Sequence, residues 1–397
     1  MLISILIPTR NRCELLSQCI YTILEQEDSN FEIIISDNFS DDNTFSVVSK
    51  INDKRIKYFR QQCLVSVTEN WNYALSKASG EYHLMLGDDD GLSPIFFENI
   101  RKLIKKYNNP ELIRFSGYNF IFPGALKLSE HSDKARLRNY RQPEIIEREG
   151  ELVLSDILKK NMVTHSLNFK HRFEFNMQFS VVSKSLQKRM ESFGNFYQSP
   201  YPDFYASNAL LLEAKTNVWS NNKLVIVGLS TKSFGHYYFN GNEKEGVKFL
   251  GNKIGNWAGE YLVNILPGPD NNTFWYLAME AIRSSLPKHH NLIVNIARYR
   301  FLQTGYFLRH AIITKKINFN NIFSFLNKLT FKECIIYGYP LFISFFIIKL
   351  FPINLIFAIL GIFRKFSYQY GTPFNSTEIT LPLSGTKELY QYLKIKN

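Results

Sequence analysis

Within residues 1–115 the chain switches repeatedly between strand-like and helix-like patterning, and that alternation limits what it can fold into. Apolar runs of strand length occupy residues 2–8, 31–36, 56–60, 81–86 and 112–116. Between them, residues 14–26, 41–50, 67–79 and 94–107 read as helices. In the first of these, Leu15, Leu16, Cys19, Ile20, Ile23 and Leu24 fall on one face. Such alternation predicts an α/β fold, Rossmann-like, with a mostly parallel sheet flanked by helices. Ligands of these sheets bind beyond the carboxyl ends of the strands. Three polar clusters stand at those ends: Pro8-Thr9-Arg10-Asn11-Arg12, Asp37-Asn38-Phe39-Ser40-Asp41-Asp42 and Asp88-Asp89-Asp90.

The third cluster makes the sharpest chemical demand. Adjacent carboxylates raise one another's pKa unless a cation offsets the repulsion. Mg²⁺ and Mn²⁺ take oxygen ligands, and Mg²⁺ commonly uses one or two protein carboxylates while substrate phosphates supply the rest. The trio therefore points to a metal–diphosphate site, with a solvated acidic turn as the plain alternative.

Later segments are less regular. Residues 117–174, with Arg136, Arg138, Arg141, Glu144, Glu147 and Arg148, read as loops and short helices bounding an acceptor pocket. Residues 175–183 and 224–229 read as strands and residues 202–215 as a helix. Beyond residue 233 the pattern turns helical, so the expected division is a catalytic domain over 1–233 and a helical region over 234–397. Residues 335–363 form an apolar block whose only charge is Lys349, followed by Arg364-Lys365. Its length suits a bilayer, but Pro340, Pro352 and Lys349 argue for an interfacial or re-entrant pair over a straight span. The competing reading is a buried helix or a dimer seam. Residues 291–397 hold 13 Lys/Arg against 3 Asp/Glu, so the region suits a membrane surface. Cys13, Cys19, Cys63 and Cys334 show no zinc spacing, and residues 1–8 run straight into a strand instead of a leader. The expected location is cytoplasmic, peripherally on the inner face of the cell membrane.

Four segments together resemble family 2 glycosyltransferases of the GT-A fold: ISILIPTRNR (3–12), FEIIISDNFSDDNT (31–44), NWNYALSKASGEYHLMLGDDD (70–90) and YPDFYASNALL (201–211). The LGDDD and PDFY spellings are similar to transferases that build bacterial surface polysaccharides such as O-antigen. The resemblance implies sugar transfer from a nucleoside-diphosphate-sugar donor, with inversion, to a lipid-linked saccharide acceptor, with Mn²⁺ or Mg²⁺ as cofactor. Asp88 and Asp90 resemble the family's DxD metal pair, and Asp89 is able to replace either. Gly87 stands where the commoner DxDD spelling has its first Asp. Pro8, Thr9 and Arg10 resemble the nucleotide-contacting turn. Asp37 can accept from a uracil-like edge or a ribose hydroxyl, with Asn38 beside it and turn duty left to Ser40 and Asp41. Asn70 matches a position near the diphosphate, or else caps its helix. Asp203 fits the general base, or else a helix N-terminal acid favoured by the macrodipole. His236 fits a late metal ligand, and His165 is a weaker candidate for acceptor contact.

Two other classes compete. A sugar nucleotidyltransferase would carry a glycine-rich loop after the first strand, and PTRNRCELL has no glycine. A basic nucleic-acid-binding protein would interleave its charge with polar surface, whereas here the charge flanks an apolar block. No nucleic-acid partner is expected.

Overall fold

The computed structural model describes residues 1–126, 133–139, 149–164, 166, 176–240, 242–251, 254–314, 319–338 and 379–396. The chain opens as read: β1 (Ile3–Thr9), α1 (Cys13–Leu24), β2 (Phe31–Asp37), α2 (Thr44–Ser49), β3 (Ile56–Arg60), α3 (Val67–Ser76), β4 (Tyr82–Met85) and a short β5 (Gly91–Leu92). Next come α4 (Phe96–Lys106), β6 (Leu112–Ile121), β7 (Ala135–Asn139), β8 (Gly150–Glu151), α5 (Asp156–Thr164), β9 (Ser180–Ser183), α6 (Lys184–Glu191), α7 (Pro202–Glu213) and β10 (Asn217–Leu229). The remainder is α8 (Phe234–Phe239), α9 (Glu243–Leu250), α10 (Ile254–Ala258), α11 (Asp270–Ser285), α12 (Ile296–Thr314), α13 (Phe319–Leu326), α14 (Phe331–Glu333), β11 (Ile379–Leu381) and α15 (Thr386–Lys396).

The sheet is mixed, which corrects the mostly parallel expectation. Strands run in the order β11-β7-β6-β9-β4-β1-β2-β3, with β10 pairing beside β6. Among the described residues only β3-β2-β1-β4 and the β6–β10 pair are parallel; β9 inserts antiparallel between β4 and β6. Period-2 alternation then sends side chains to two faces. Ile3, Ile5, Ile7, Ile33, Ile35 and Leu84 pack with α1 and α4 residues such as Ile20 and Phe97. Leu6, Ile34, Met85 and Val182 face the other way, toward α3, α7 and α11. Local signals agree with the packing. Ser66 and Glu69 form a reciprocal capping box that starts α3. Pro202 occupies the first turn of α7, where its missing N–H leaves nothing unsatisfied.

Residues 117–174 differ from the expected loops. Backbone pairing extends β6 through Ile121 and sets β7 against it, antiparallel, with Tyr118 opposite Asn139. Arg141, Glu144, Glu147, Arg148 and His165 lie outside the described residues. So does most of the apolar block 335–363, beyond residue 338. Among the described residues no helix is long and apolar enough to cross a membrane.

The end of the chain returns to the sheet instead of staying with the helical region. β11 pairs antiparallel with β7, Ile379 opposite Leu137. Leu381, Leu389 and Leu393 close a third core with Phe120, Phe122, Ala135 and Ile226. Tyr390 Oη donates to the Glu25 carbonyl at 3.1 Å, tying α15 to the end of α1. Leu389 is fully buried there, so Leu389→Ala should destabilise by about 2–5 kcal/mol. Urea unfolding measures this, and an unchanged midpoint would show that the C-terminal segment is not docked.

Candidate active site

Register brings the strand ends level. Leu6 of β1 pairs with Met85 of β4, and Thr9 pairs with Asp37 of β2. Thr9 and Asp88 therefore stand three residues beyond paired positions. Thr9 Oγ1 donates to Asp88 Oδ2 at 2.6 Å. Pro8, opposite Ser36, carries the strand up to that point.

All three aspartates are buried, at 2%, 6% and 2% exposure for Asp88, Asp89 and Asp90. Each has different partners. Asp88 Oδ1 accepts from Arg12 Nη1 at 2.6 Å, and the same nitrogen lies 3.6 Å from Asp89 Oδ1. Asp89 Oδ2 accepts from Ser230 Oγ at 2.8 Å and Ser233 Oγ at 2.6 Å. Asp90 is held by backbone alone: its Oδ2 accepts from the Gly87 amide at 2.7 Å and its Oδ1 from the Gly228 amide at 2.8 Å. Both oxygens of Asp90 are thus engaged.

Two glycines make this folding-back fit. A Cβ at position 87 would stand 2.6 Å from Asp90 Oδ2, and one at 228 would stand 1.9 Å from the Asp89 carbonyl oxygen. Gly87, where the commoner spelling has Asp, is the space into which Asp90 turns.

Electrostatically the site is short of positive charge. Burial pushes the Asp88 carboxyl up, Arg12 pulls it down, and Asp89 pushes it up again. Burial and then Asp89 drive Asp90 well above the usual range, against the pull of the two amides. Arg12 is the guanidinium inside the cluster, and its other face lies 4.7 Å from the Phe249 ring centre of α9. Arg10 has no hydrogen-bond or charge partner among the described residues, and its Nε is buried.

The other expected nucleotide residues are close by but already engaged. Asp37 Oδ1 accepts from the Ser40 amide at 2.8 Å, and its Oδ2 accepts from Tyr58 Oη. Turn duty therefore falls to Asp37 itself, with Asp42 accepting from the Thr44 amide at 2.9 Å. That corrects the assignment to Ser40 and Asp41: Ser40 Oγ accepts from the Asn11 amide instead, at 2.9 Å. Asn38 clamps Val65 through both ends of its amide, at 2.8 and 3.0 Å. Asn70 Oδ1 accepts from Ser36 Oγ at 2.7 Å, and its Nδ2 donates to the Ser36 carbonyl at 3.1 Å. Asn70 fastens α3 to β2, and Ser66 is the cap. Phe39, between these groups, is exposed and has φ +58°, a conformation that strains a bulky residue.

His236 lies on α8, three residues after Ser233. Its Nδ1 is 2.7 Å from the Ala125 carbonyl oxygen, which can only accept, so Nδ1 carries the proton and Nε2 keeps a lone pair in the neutral ring. Among the described residues, no group of three or more His, Cys, Asp or Glu side chains is placed to hold a metal ion.

Asp203 sits in the first turn of α7, every residue of which is buried. Its Oδ1 accepts from the Met177 amide at 2.7 Å. Burial pushes its carboxyl up to about 7, against that amide's pull. Burial, then the charges of Asp203, Asp90 and Asp89, push the Tyr201 phenol up, so one ring senses both groups.

Sequence reading missed Arg12, Tyr201, Gly228, Ser230 and Ser233. A Gly-Leu-Ser-Thr-Lys-Ser run at a strand end was the available signal for three of them. Its relevance depends on β10 returning beside β6, which sequence spacing does not disclose.

Comparison with known proteins adds an independent line. Residues 4–149 match the family model described as Glycosyl transferase family 2. The GalNAc(5)-diNAcBac-PP-undecaprenol beta-1,3-glucosyltransferase of Campylobacter jejuni is 32% identical over 198 residues, 49% of this chain and 56% of that protein. The chain thus spans little more than half the length of that relative. WfgD of Escherichia coli, the UDP-Glc:alpha-D-GlcNAc-diphosphoundecaprenol beta-1,3-glucosyltransferase, is 25% identical over 230 residues, 51% of this chain and 90% of that protein. Among solved structures, S. aureus TarS 1-349 in complex with UDP-GlcNAc aligns with a TM-score of 0.49 at 14% identity, covering 83% of this chain and 80% of that one. Over residues 4–149 the chain is thus similar to glycosyl transferase family 2.

Proposed function

We propose that the chain is an inverting glycosyltransferase of GT-A type. It moves a sugar from a nucleoside-diphosphate-sugar to a saccharide on a polyprenyl diphosphate, at the inner face of a bacterial membrane, during surface-polysaccharide synthesis. The observation that carries this reading is the buried, cation-deficient aspartate cluster bonded to Thr9 at the strand ends. The two curated relatives, whose names place their acceptors on undecaprenol diphosphate, support the acceptor class.

The donor set suits a divalent ion on two carboxylates. Asp88 and Asp89 would hold the Mn²⁺ or Mg²⁺, which supplies Lewis-acid stabilisation of the departing diphosphate. Asp90, expected as a ligand with Asp88, serves as the brace that aims the other two, because fixed backbone amides hold both its oxygens, whereas the donors on Asp88, Thr9 and Arg12, are side chains that can turn aside. His236, expected as a further ligand, keeps its Nε2 lone pair in the tautomer that the Ala125 carbonyl sets. Thr9, Arg10, Asp37 and Asn38 line the nucleotide side, with Arg10 the cation available to phosphate.

Asp203 takes the proton from the acceptor hydroxyl. That oxygen attacks the anomeric carbon, and the bond from carbon to the diphosphate oxygen breaks with its electron pair leaving on the diphosphate. The proton rests on Asp203 and passes to water after release. A carboxyl held near 7 by burial is matched to this task, since a base works best when its pKa lies near the working pH.

Two sets of variants test the assignment. Asp88→Ala or Asp89→Ala should abolish transfer, and Asp88→Ala should also lower the melting temperature because it leaves Arg12 without its nearest partner. Asp90→Ala should lower stability as well, by about 1–3 kcal/mol for each amide left unsatisfied. Full turnover in Asp88→Ala, Asp89→Ala and the double variant would refute the metal pair.

Asp203→Asn should lower kcat by roughly 10²–10⁴-fold with donor binding unchanged. In the native enzyme kcat/KM should fall as pH drops below about 7, where Asp203 protonates. The stability effect has the opposite sign. A raised carboxyl pKa favours the fold at low pH, and that contribution is lost as pH rises from the ordinary carboxylate range through about 7. Asp203→Asn should therefore melt no lower than wild type at pH 8. Near-native kcat, or an acid limb unchanged in the variant, would remove Asp203 from the base role.

A further inference from the structure

We propose that the face built by α13, α14 and the helical turn after it, Cys334–Gly338, is the surface through which this protein docks on an anionic lipid bilayer. The proposal deepens the lipid-linked acceptor reading and takes its purpose from it. Four large apolar side chains point outward here: Phe323 is 52% exposed, Phe331 83%, Ile335 61% and Ile336 50%. Phe331 lies four and five residues before Ile335 and Ile336, about one turn of the π-helical segment Cys334–Gly338, so these three share a side.

This exposure belongs to a fixed element. Arg300 of α12 binds the Glu333 carboxylate, with Nη2 to Oε2 at 2.8 Å, and donates to the Lys328 carbonyl at 2.7 Å. Thr330 and Glu333 form a capping box at the start of α14. Phe325 is buried and stacks on Phe307 at 4.2 Å, while Phe323, two residues earlier on the same helix, faces out. The inner side is thus fastened to α12, and the outer side cannot fold inward to hide its rings.

Charge identifies the occupant. Lys328 and Lys332 are exposed beside the apolar groups, and neither has an acidic partner among the described residues, since Glu333 is held by Arg300. Apolar side chains rimmed by unpaired lysines match the boundary between acyl chains and anionic headgroups. Nucleic acid would leave the rings in water. The sequence continues from this face into the apolar run to residue 363, then Arg364-Lys365. Residues 379–396 dock back on β7 and α1, so contact through this face keeps residues 1–338 and 379–396 on one side of the membrane.

The test is co-sedimentation of the full chain with phosphatidylglycerol–phosphatidylethanolamine vesicles and with phosphatidylcholine vesicles. Wild type should pellet with the anionic vesicles. Phe331→Ser/Ile335→Ser should weaken partitioning at least tenfold. Lys328→Glu/Lys332→Glu should abolish the preference for anionic vesicles. All four positions are exposed, so melting temperatures and turnover on a water-soluble short-chain acceptor should stay at wild-type values. Wild-type vesicle binding by the serine variant would overturn the proposal. So would conversion of a lipid-free dimer to monomer by that variant in sedimentation velocity, which would make the face a contact between copies. Vesicle binding without sugar transfer would leave this surface standing while the transferase reading fails, and transfer without vesicle binding would do the reverse.

Discussion

Three carboxylates lie side by side, out of water, at the end of one strand, and much of the molecule is arranged to tolerate them. An ionised carboxylate in a low-dielectric setting is unfavourable unless donors or cations meet its oxygens. Asp88 is met by Thr9 and Arg12, Asp89 by two serine hydroxyls, and Asp90 by two backbone amides. Those donors come from β1, the β1–α1 turn, the β4 end, and β10 with the turn that follows it. Removing any of these elements would leave a buried acid unsatisfied. The cluster therefore depends on the whole strand order, including the late return of β10 beside β6.

The same arrangement divides the chemistry. One cation among three buried acids leaves the cluster short of positive charge, which a divalent ion can supply. Asp203 stands apart on a wholly buried helix, where its carboxyl rises through burial instead of through a like-charged neighbour. On the proposed reading, a low-dielectric mount serves the base and a separate electrostatic well serves the leaving group. The Tyr201 phenol, pushed up by burial first, also feels the charges of Asp203, Asp90 and Asp89.

Much of this was legible in the chain. Parallel β3-β2-β1-β4 follows from apolar runs separated by helical periodicity, and the level of Thr9 with Asp88 follows from register once the strands are placed. Asp88, Asp89 and Asp203 were visible as acids in chemically demanding positions. What stayed hidden depends on long-range pairing. Nothing local in Gly228 or Ser233 announces that they meet aspartates some 140 residues earlier. The antiparallel half of the sheet was missed for the same reason, because β9 and β7 are short and their pairing with β4 and β6 is long-range. Asn38 and Asn70 sit where nucleotide contacts were expected, yet their amides fasten one loop and one helix to the scaffold. A polar residue at a strand end serves ligand and fold alike, and only geometry separates the two.

The central claim is that this pocket binds a divalent ion together with a nucleoside diphosphate. Crystals grown with Mn²⁺ and whichever of UDP, GDP or dTDP raises the melting temperature would test it through manganese anomalous scattering. The account predicts a single strong peak within coordination distance of Asp89 or Asp88, bridging to the diphosphate, with Asp90 still on its two amides. A nucleotide bound beside Thr9 and Asp37 with no manganese at those aspartates, or manganese held by other residues, would contradict it.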